Sequence, residues 1–396
     1  MGNSSNKKKR HEVENYASQY SLSDILNKAC TGASRLSSED LSRYSQVSPK
    51  SWSEGTLSNP YGRSKTQWPV ARFEAIFLPE FKVLKNPLKS EFAFVDLIET
   101  GAYRQVYKVR ERGIGGVYAL KVLNKAKILA DDAVVQAKQE VAILKAVGHY
   151  PFILTPVRHW QGRKTLYILT EYIGGGELYS LIEDYGCLPE DVVRIYIAEI
   201  ALALDFLHNA GIIHRDLKAT NVLLNDEGHA VLIDFGLAKW LRPTHKTSTF
   251  CGTAEYMAPE VLRGEYYGHE VDWWSLGVLA CLLLTNQYPA RGRSDLLPDT
   301  GDQEDQVPGT LPDVEMSPGA MDLLKRLLQP EPRLRLHSIL ALQRVKFYMG
   351  HNIRAYCSLS VSPFRILGRK PGARRTSTKH DFPDFDSPVG MGTSRG

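Results

Sequence analysis

Between Val117 and Val122 the chain reads Val-Tyr-Ala-Leu-Lys-Val, a period of two that predicts a strand with Ala119 and Lys121 on one face. The period then changes. From Asp132 to Val147 the apolar positions Val134, Ala137, Val141 and Leu144 fall three and four apart, which predicts a helix stopped at Gly148. Leu166 to Tyr172 reads as a second strand, broken by Gly174-Gly175-Gly176. Val193, Tyr196, Ile197, Ile200, Leu204 and Leu207 form the stripe of a long helix that begins at Glu190 and ends at Asn209 and Gly211. Ala230 to Ile233 predicts a short strand that delivers Asp234 at its end.

Beyond Asp234 the pattern is mainly helical. Trp273 to Leu284 is apolar all round yet too short to span a bilayer, so it is expected to be a buried core helix. Order is expected from near Phe92. Residues 1–90 are rich in Ser, Asn, Lys and Pro and are expected to be largely disordered, with short docking segments at Trp68-Pro69-Val70 and Phe77-Leu78. The polar stretch Arg291 to Pro312 reads as a loop, and the chain after Gly350 as irregular.

At 396 residues and 43% hydrophobic content, the chain suits one large two-lobed domain or two small ones. A net charge of +5, concentrated at the ends, favours tail contacts with acidic surfaces and argues against a nucleic-acid partner. The five cysteines (Cys30, Cys187, Cys251, Cys281 and Cys357) form no C-x-x-C pair, which argues against a zinc site or a disulfide framework and for a reducing compartment. Met1-Gly2-Asn3-Ser4-Ser5-Asn6 approaches the myristoylation pattern, with Asn6 standing where Ser or Thr is wanted. Lys7-Lys8-Lys9-Arg10 would supply a second membrane signal or a nuclear address. The expected location is therefore cytoplasmic, with membrane contact through an acylated Gly2 and Lys7–Arg10, or nuclear.

Residues 214–221 read His-Arg-Asp-Leu-Lys-Ala-Thr-Asn, and thirteen residues after Asn221 comes Asp234-Phe235-Gly236. The spacing sets one candidate base, Asp216, beside two candidate metal ligands, Asn221 and Asp234, as phosphoryl transfer requires. These linked motifs resemble the catalytic signature of eukaryotic protein kinases over roughly residues 92–348. The resemblance implies an α+β, bilobal fold, with an N-lobe over 91–172, a C-lobe over 173–348 and a tail over 349–396. It also implies ATP and Mg2+ as cofactors. Asp216 would accept the hydroxyl proton, Lys218 would steady the phosphoryl group, and Lys121 would grip the phosphates under the guidance of Glu140. Gly101, Val106, Ala119, Glu171, Ile173 and Leu223 would surround the nucleotide, with Thr170 as gatekeeper. Glu260 of Ala258-Pro259-Glu260 would pair with Arg335, and Asp272 would brace the catalytic loop.

Lys218 favours serine/threonine transfer. Thr249-Phe250-Cys251-Gly252-Thr253 is similar to the activation loop of the AGC group, including ribosomal-protein kinases. Thr249 is thereby expected to be phosphorylated by an upstream kinase and paired with Arg215 and Lys239. Phe382-Pro383-Asp384-Phe385 partly resembles the hydrophobic motif of AGC tails. Glu177 would receive an arginine three residues before the target. Thr220 lacks the carboxylate for a nearer arginine, and Leu283 has lost that arginine's other partner. The glycine-rich loop departs most from the pattern: Glu99 and Arg104 replace glycines around Gly101. That departure motivates an alternative reading, a pseudokinase scaffold with weak nucleotide binding.

Overall fold

The computed structural model describes residues 72–84, 87–101, 104–242, 244–291 and 307–369. Gly2, Lys7–Arg10, Trp68–Val70 and Phe382–Phe385 lie outside the described residues. The chain divides into units 1–76 and 77–396. In the first, Arg72–Ala75 is a helical turn. The remaining elements belong to the second.

A six-stranded sheet opens the second unit. Its strands are β1 (Lys82–Val83), β2 (Phe92–Thr100), β3 (Arg104–Glu111), β4 (Val117–Asn124), β5 (Pro156–Gln161) and β6 (Thr165–Glu171), in the spatial order β1-β5-β6-β4-β3-β2. The alternation in β4 sorts its side chains as expected. Leu120 and Val122 enter a core with Tyr107, Trp160 and Tyr167, while Leu123, on the Lys121 face, packs with helix residues. Those helices are α1 (Lys125–Ala130), capped by the Asn124 side chain, and α2 (Val134–Val147). Helix α2 begins two residues later than Asp132, because Asp132 adopts a left-handed φ of 51° that no α-helix can include.

The larger lobe is helical. Its core is built on α3 (Leu178–Tyr185), α4 (Glu190–Asn209), α5 (Pro259–Leu262), α6 (Glu270–Thr285) and α7 (Pro318–Leu327). Helix α6 is buried on all sides, as its unbroken apolar run predicts. The hairpin of Val222–Leu224 with Ala230–Leu232 carries the two motif segments past one another. Among the described residues no helix is long and apolar enough to cross a membrane.

Two boundaries differ from expectation. Packing starts at Phe77 rather than Phe92, because the rings of Phe77 and Phe81 are fully buried and Lys82–Val83 adds a strand parallel to β5. The stretch after Gly350 also packs. Phe364 lies on Gly228, where a Cβ would come within 2.5 Å of its ring, and Ser362 donates to the Glu227 carbonyl at 2.6 Å.

Candidate active site

Lys121 leaves β4 opposite Val106 of β3 and Ile168 of β6, and Ala119 lies opposite Thr170. Val106, Ala119 and Leu223 are half-buried, and Leu223 forms a bridge with Glu177. The Thr170 hydroxyl donates to the Glu171 carbonyl at 3.2 Å, and the Glu171 N–H donates to Thr155. Ile173, half-buried, follows directly. The sheet and the Leu223 hairpin thus bring the six residues expected around a nucleotide to neighbouring strands and turns.

The Lys121 ammonium meets the Glu140 carboxylate of α2 at 2.5 Å and Asp234 at 3.5 Å. Burial opposes the charge on Lys121, but Asp234 and Glu140 outweigh it and push its pKa above the ordinary lysine range. Burial likewise opposes charge on Asp234, yet Lys121 and Arg104 hold that carboxyl well below the usual range. Arg104 donates to Asp234 at 2.5 Å and to Glu99 at 2.7 Å. The Gly101 N–H closes the preceding turn on the Arg104 carbonyl at 2.8 Å, and a Cβ on Gly101 would lie 3.0 Å from the Arg104 side chain.

Around Asp216 the donors converge. Thr253 donates to one carboxylate oxygen at 2.7 Å. Asn221 donates to the other at 2.9 Å and to the Asp216 carbonyl at 2.8 Å. Lys218 lies 3.3 Å from that second oxygen and donates to Thr253 at 2.9 Å. The Thr253 bridge was not foreseen from the sequence, although the Thr249–Thr253 run contains it. Because Nδ2 of Asn221 is committed to Asp216, its Oδ1 is the end available to a cation.

Left-handed backbone places both motif segments: Arg215 has φ 69° and Asp234 φ 58°. Such positions cost about 1–3 kcal/mol each and persist only when neighbours fix them. Asp272, buried in α6, supplies that fixing at Arg215. Its carboxylate accepts the N–H groups of His214 and Arg215 at 2.9 and 2.8 Å and meets His208 at 2.8 Å. Burial opposes its charge, but these donors keep the Asp272 pKa below its ordinary value. Deeper still, Glu260 and Arg335 form a buried two-pronged pair at 2.7 and 2.9 Å.

The activation segment lies alongside. Thr249 is exposed, and its hydroxyl lies 3.3 Å from that of Thr247, which accepts from Lys239 at 3.1 Å. The Arg215 guanidinium donates to the Leu237 carbonyl at 2.7 Å and reaches Tyr267 at 3.5 Å; Tyr267 in turn donates to the Thr249 carbonyl at 2.6 Å. Gly252 makes the following turn at φ 115°, with the Arg215 carbonyl only 2.7 Å from where a Cβ would stand. Glu177 precedes α3 and makes no capping bond. Partial burial and the nearby Glu99 and Glu183 raise its pKa.

A paired lysine and glutamate, a carboxylate ringed by donors and a second carboxylate that attracts cations form the apparatus of a phosphoryl-transfer enzyme on a bilobal fold. The sequence profile of the protein kinase domain matches residues 92–347, and the chain belongs to that family. It is an ATP-dependent protein kinase of the serine/threonine type, similar to AGC-group enzymes.

Among its relatives is the human ribosomal protein S6 kinase-related protein, 38% identical over 287 residues, covering 72% of this chain and 68% of the relative. The RAC family serine/threonine-protein kinase homolog of Dictyostelium discoideum is 38% identical over 335 residues, 81% of this chain and 74% of the relative. The Arabidopsis thaliana serine/threonine-protein kinase AtPK1/AtPK6 is 35% identical over 306 residues, 76% of this chain and 65% of the relative.

Proposed function

We propose that the chain uses magnesium and ATP to phosphorylate serine or threonine in proteins that carry an arginine three residues before the target, after an upstream kinase has modified Thr249. The observation that carries this reading is the set of donors on Asp216. Lys218, Asn221 and Thr253 hold its carboxylate in one orientation, so an incoming hydroxyl can pass its proton to a fixed oxygen.

Asn221 Oδ1 and the Asp234 carboxylate are hard oxygen donors, suited to magnesium, and Asp234 already attracts two cations. A metal held there would neutralise charge on the phosphates of ATP. Lys121, fixed by Glu140, would orient the α- and β-phosphates, and Val106, Ala119 and Leu223 would enclose the adenine, with Glu171 and Ile173 at its edge. Lys218 would draw the transferring group toward Asp216. Glu177 is the candidate receptor for the substrate arginine.

Incubation of purified chain with labelled ATP and magnesium, with sites mapped by mass spectrometry, tests the reading. Asp234→Asn and Lys121→Met should each abolish transfer. A Thr249-phosphorylated wild type that transfers no more phosphate than these variants would instead be a scaffold.

A further inference from the structure

We propose that residues 77–83 form a strap that positions α2, and thereby Glu140, for catalysis. The segment lies outside the 92–347 match to the kinase family. Phe77 and Phe81, both 0% exposed, fill the space between Val134, Ala137 and Val141 of α2 and Leu123, Leu166 and Ile168 of the sheet. One turn joins the two rings, through the Phe81 N–H to the Phe77 carbonyl at 2.9 Å.

Polar contacts fasten the strap on both sides. Lys138 of α2 donates to the Leu78 carbonyl at 2.6 Å and pairs with Glu80 at 2.8 Å. On the sheet side, Lys82 and Val83 pair with Trp160 and Gln161, and the Gln161 amide donates to the Phe81 carbonyl at 2.7 Å. Glu140 lies on the same helix, one residue before Val141. Its 2.5 Å contact with Lys121 therefore depends on the distance between α2 and β4. The strap's two aromatic rings support that distance along the first half of α2, while Ile143, Leu144 and Val147 anchor its far end in the core of the larger lobe. The start of helix α2, the end the strap touches, has no side-chain cap.

The strap is a positioning element; it touches no reacting atom. In the full-length chain, Phe77→Ala with Phe81→Ala should speed amide hydrogen exchange across 134–147 while leaving 270–285 protected. It should also lower kcat/KM for ATP by about a hundredfold, the scale on which small misplacements of positioned groups act. Phe77→Leu with Phe81→Leu should retain most activity, and a peptide of residues 77–84 added to the alanine variant should restore both readouts.

Lys138→Met leaves the apolar filling in place and should show the same exchange change more weakly, so a poorly folding alanine variant still leaves a test. Unchanged exchange over 134–147 in Lys138→Met and in any folded alanine variant overturns the proposal, as does equal loss of protection over 270–285 in a folded variant. So does the same change produced by Phe382→Ala with Phe385→Ala instead, which would make the carboxyl-terminal motif the element that holds α2. The proposal rests on the kinase reading only for its kinetic arm. Altered exchange without any phosphate transfer by the wild type would fault that reading and leave the strap standing.

Discussion

Arg104 reaches from the start of β3 to the carboxylate of Asp234, with nitrogen and oxygen 2.5 Å apart. The residue stands where the family pattern has a glycine, and its other nitrogen is held by Glu99 at 2.7 Å. A guanidinium thus occupies the carboxylate that a nucleotide-bound cation would need. Glu99 is half exposed and offers Arg104 a place to withdraw to when the cation arrives.

Replacing the arginine should relieve that competition. Arg104→Gly is expected to tighten binding of ATP with magnesium by about tenfold, the lower end of what one charge-assisted hydrogen bond is worth. Titration calorimetry on wild type and variant checks it. Equal affinities would mean that Arg104 moves to the phosphates and replaces in the complex what it gives up at Asp234.

The Glu260–Arg335 pair yields a stability prediction. Arg335 also donates to the carbonyls of Gln329, Glu270 and Pro330 and stacks on Trp274 at 5.1 Å. Arg335→Met leaves the Glu260 carboxylate buried without its cation, a change that costs about 3–5 kcal/mol. Adding Glu260→Gln should recover part of the loss, since no buried charge then remains. Urea unfolding midpoints of the two variants should differ, with the double variant the more stable.

Much of this geometry was legible in the chain because its signals are local. The alternation at 117–122 places Lys121, and the apolar run at 273–284 gives a helix with no exposed face. The strap was only partly legible, as a docking segment at Phe77-Leu78 with no indication of where it docks. Phe77 and Phe81 lie in a short apolar run, 75–84, that has neither helical nor strand period, and their burial depends on α2 and β6, far along the sequence. The Arg104–Asp234 contact is likewise non-local, spanning 130 positions. Sequence pattern marked Arg104 as a missing glycine and gave its charge, but only the fold decides which carboxylate it meets. The early start predicted for α2 fails for a third reason: backbone handedness at Asp132 leaves no mark in hydrophobic spacing.

Phosphorylation of Thr249 would place a charge of about −1.5 to −2 beside Thr247 and Lys239. Lys239 now donates to a neutral hydroxyl, so the phosphate offers it a stronger partner. Arg215 already spans from the catalytic loop to Tyr267 and would couple the modified segment to Asp216. Thr249→Ala should therefore lower kcat at least about tenfold relative to the phosphorylated chain. Equal kcat values for Thr249→Ala and the chain phosphorylated on Thr249 would show that the segment is ordered without the phosphate.

Substrate choice should follow Glu177. This carboxylate stands before α3 without a capping duty, near Glu99, and Lys218 is the basic group that acts against their shared negative charge. An arginine three residues before the target would relieve the repulsion between the two acids. A charge-assisted contact of this kind is worth about 1.5–3 kcal/mol, or roughly tenfold or more in kcat/KM between peptides with and without the arginine. Thr220 has no carboxylate to offer an arginine nearer the target, so a second basic residue there should add little. The pH dependence has a definite sign. Glu177 binds its proton more readily than an ordinary glutamate, whose pKa is 4.5, so the arginine preference should be full near neutrality and fade on acidification before that value is reached. Glu177→Gln should abolish both the preference and its pH dependence. A peptide-array profile that keeps the arginine preference in Glu177→Gln would assign the recognition to another residue.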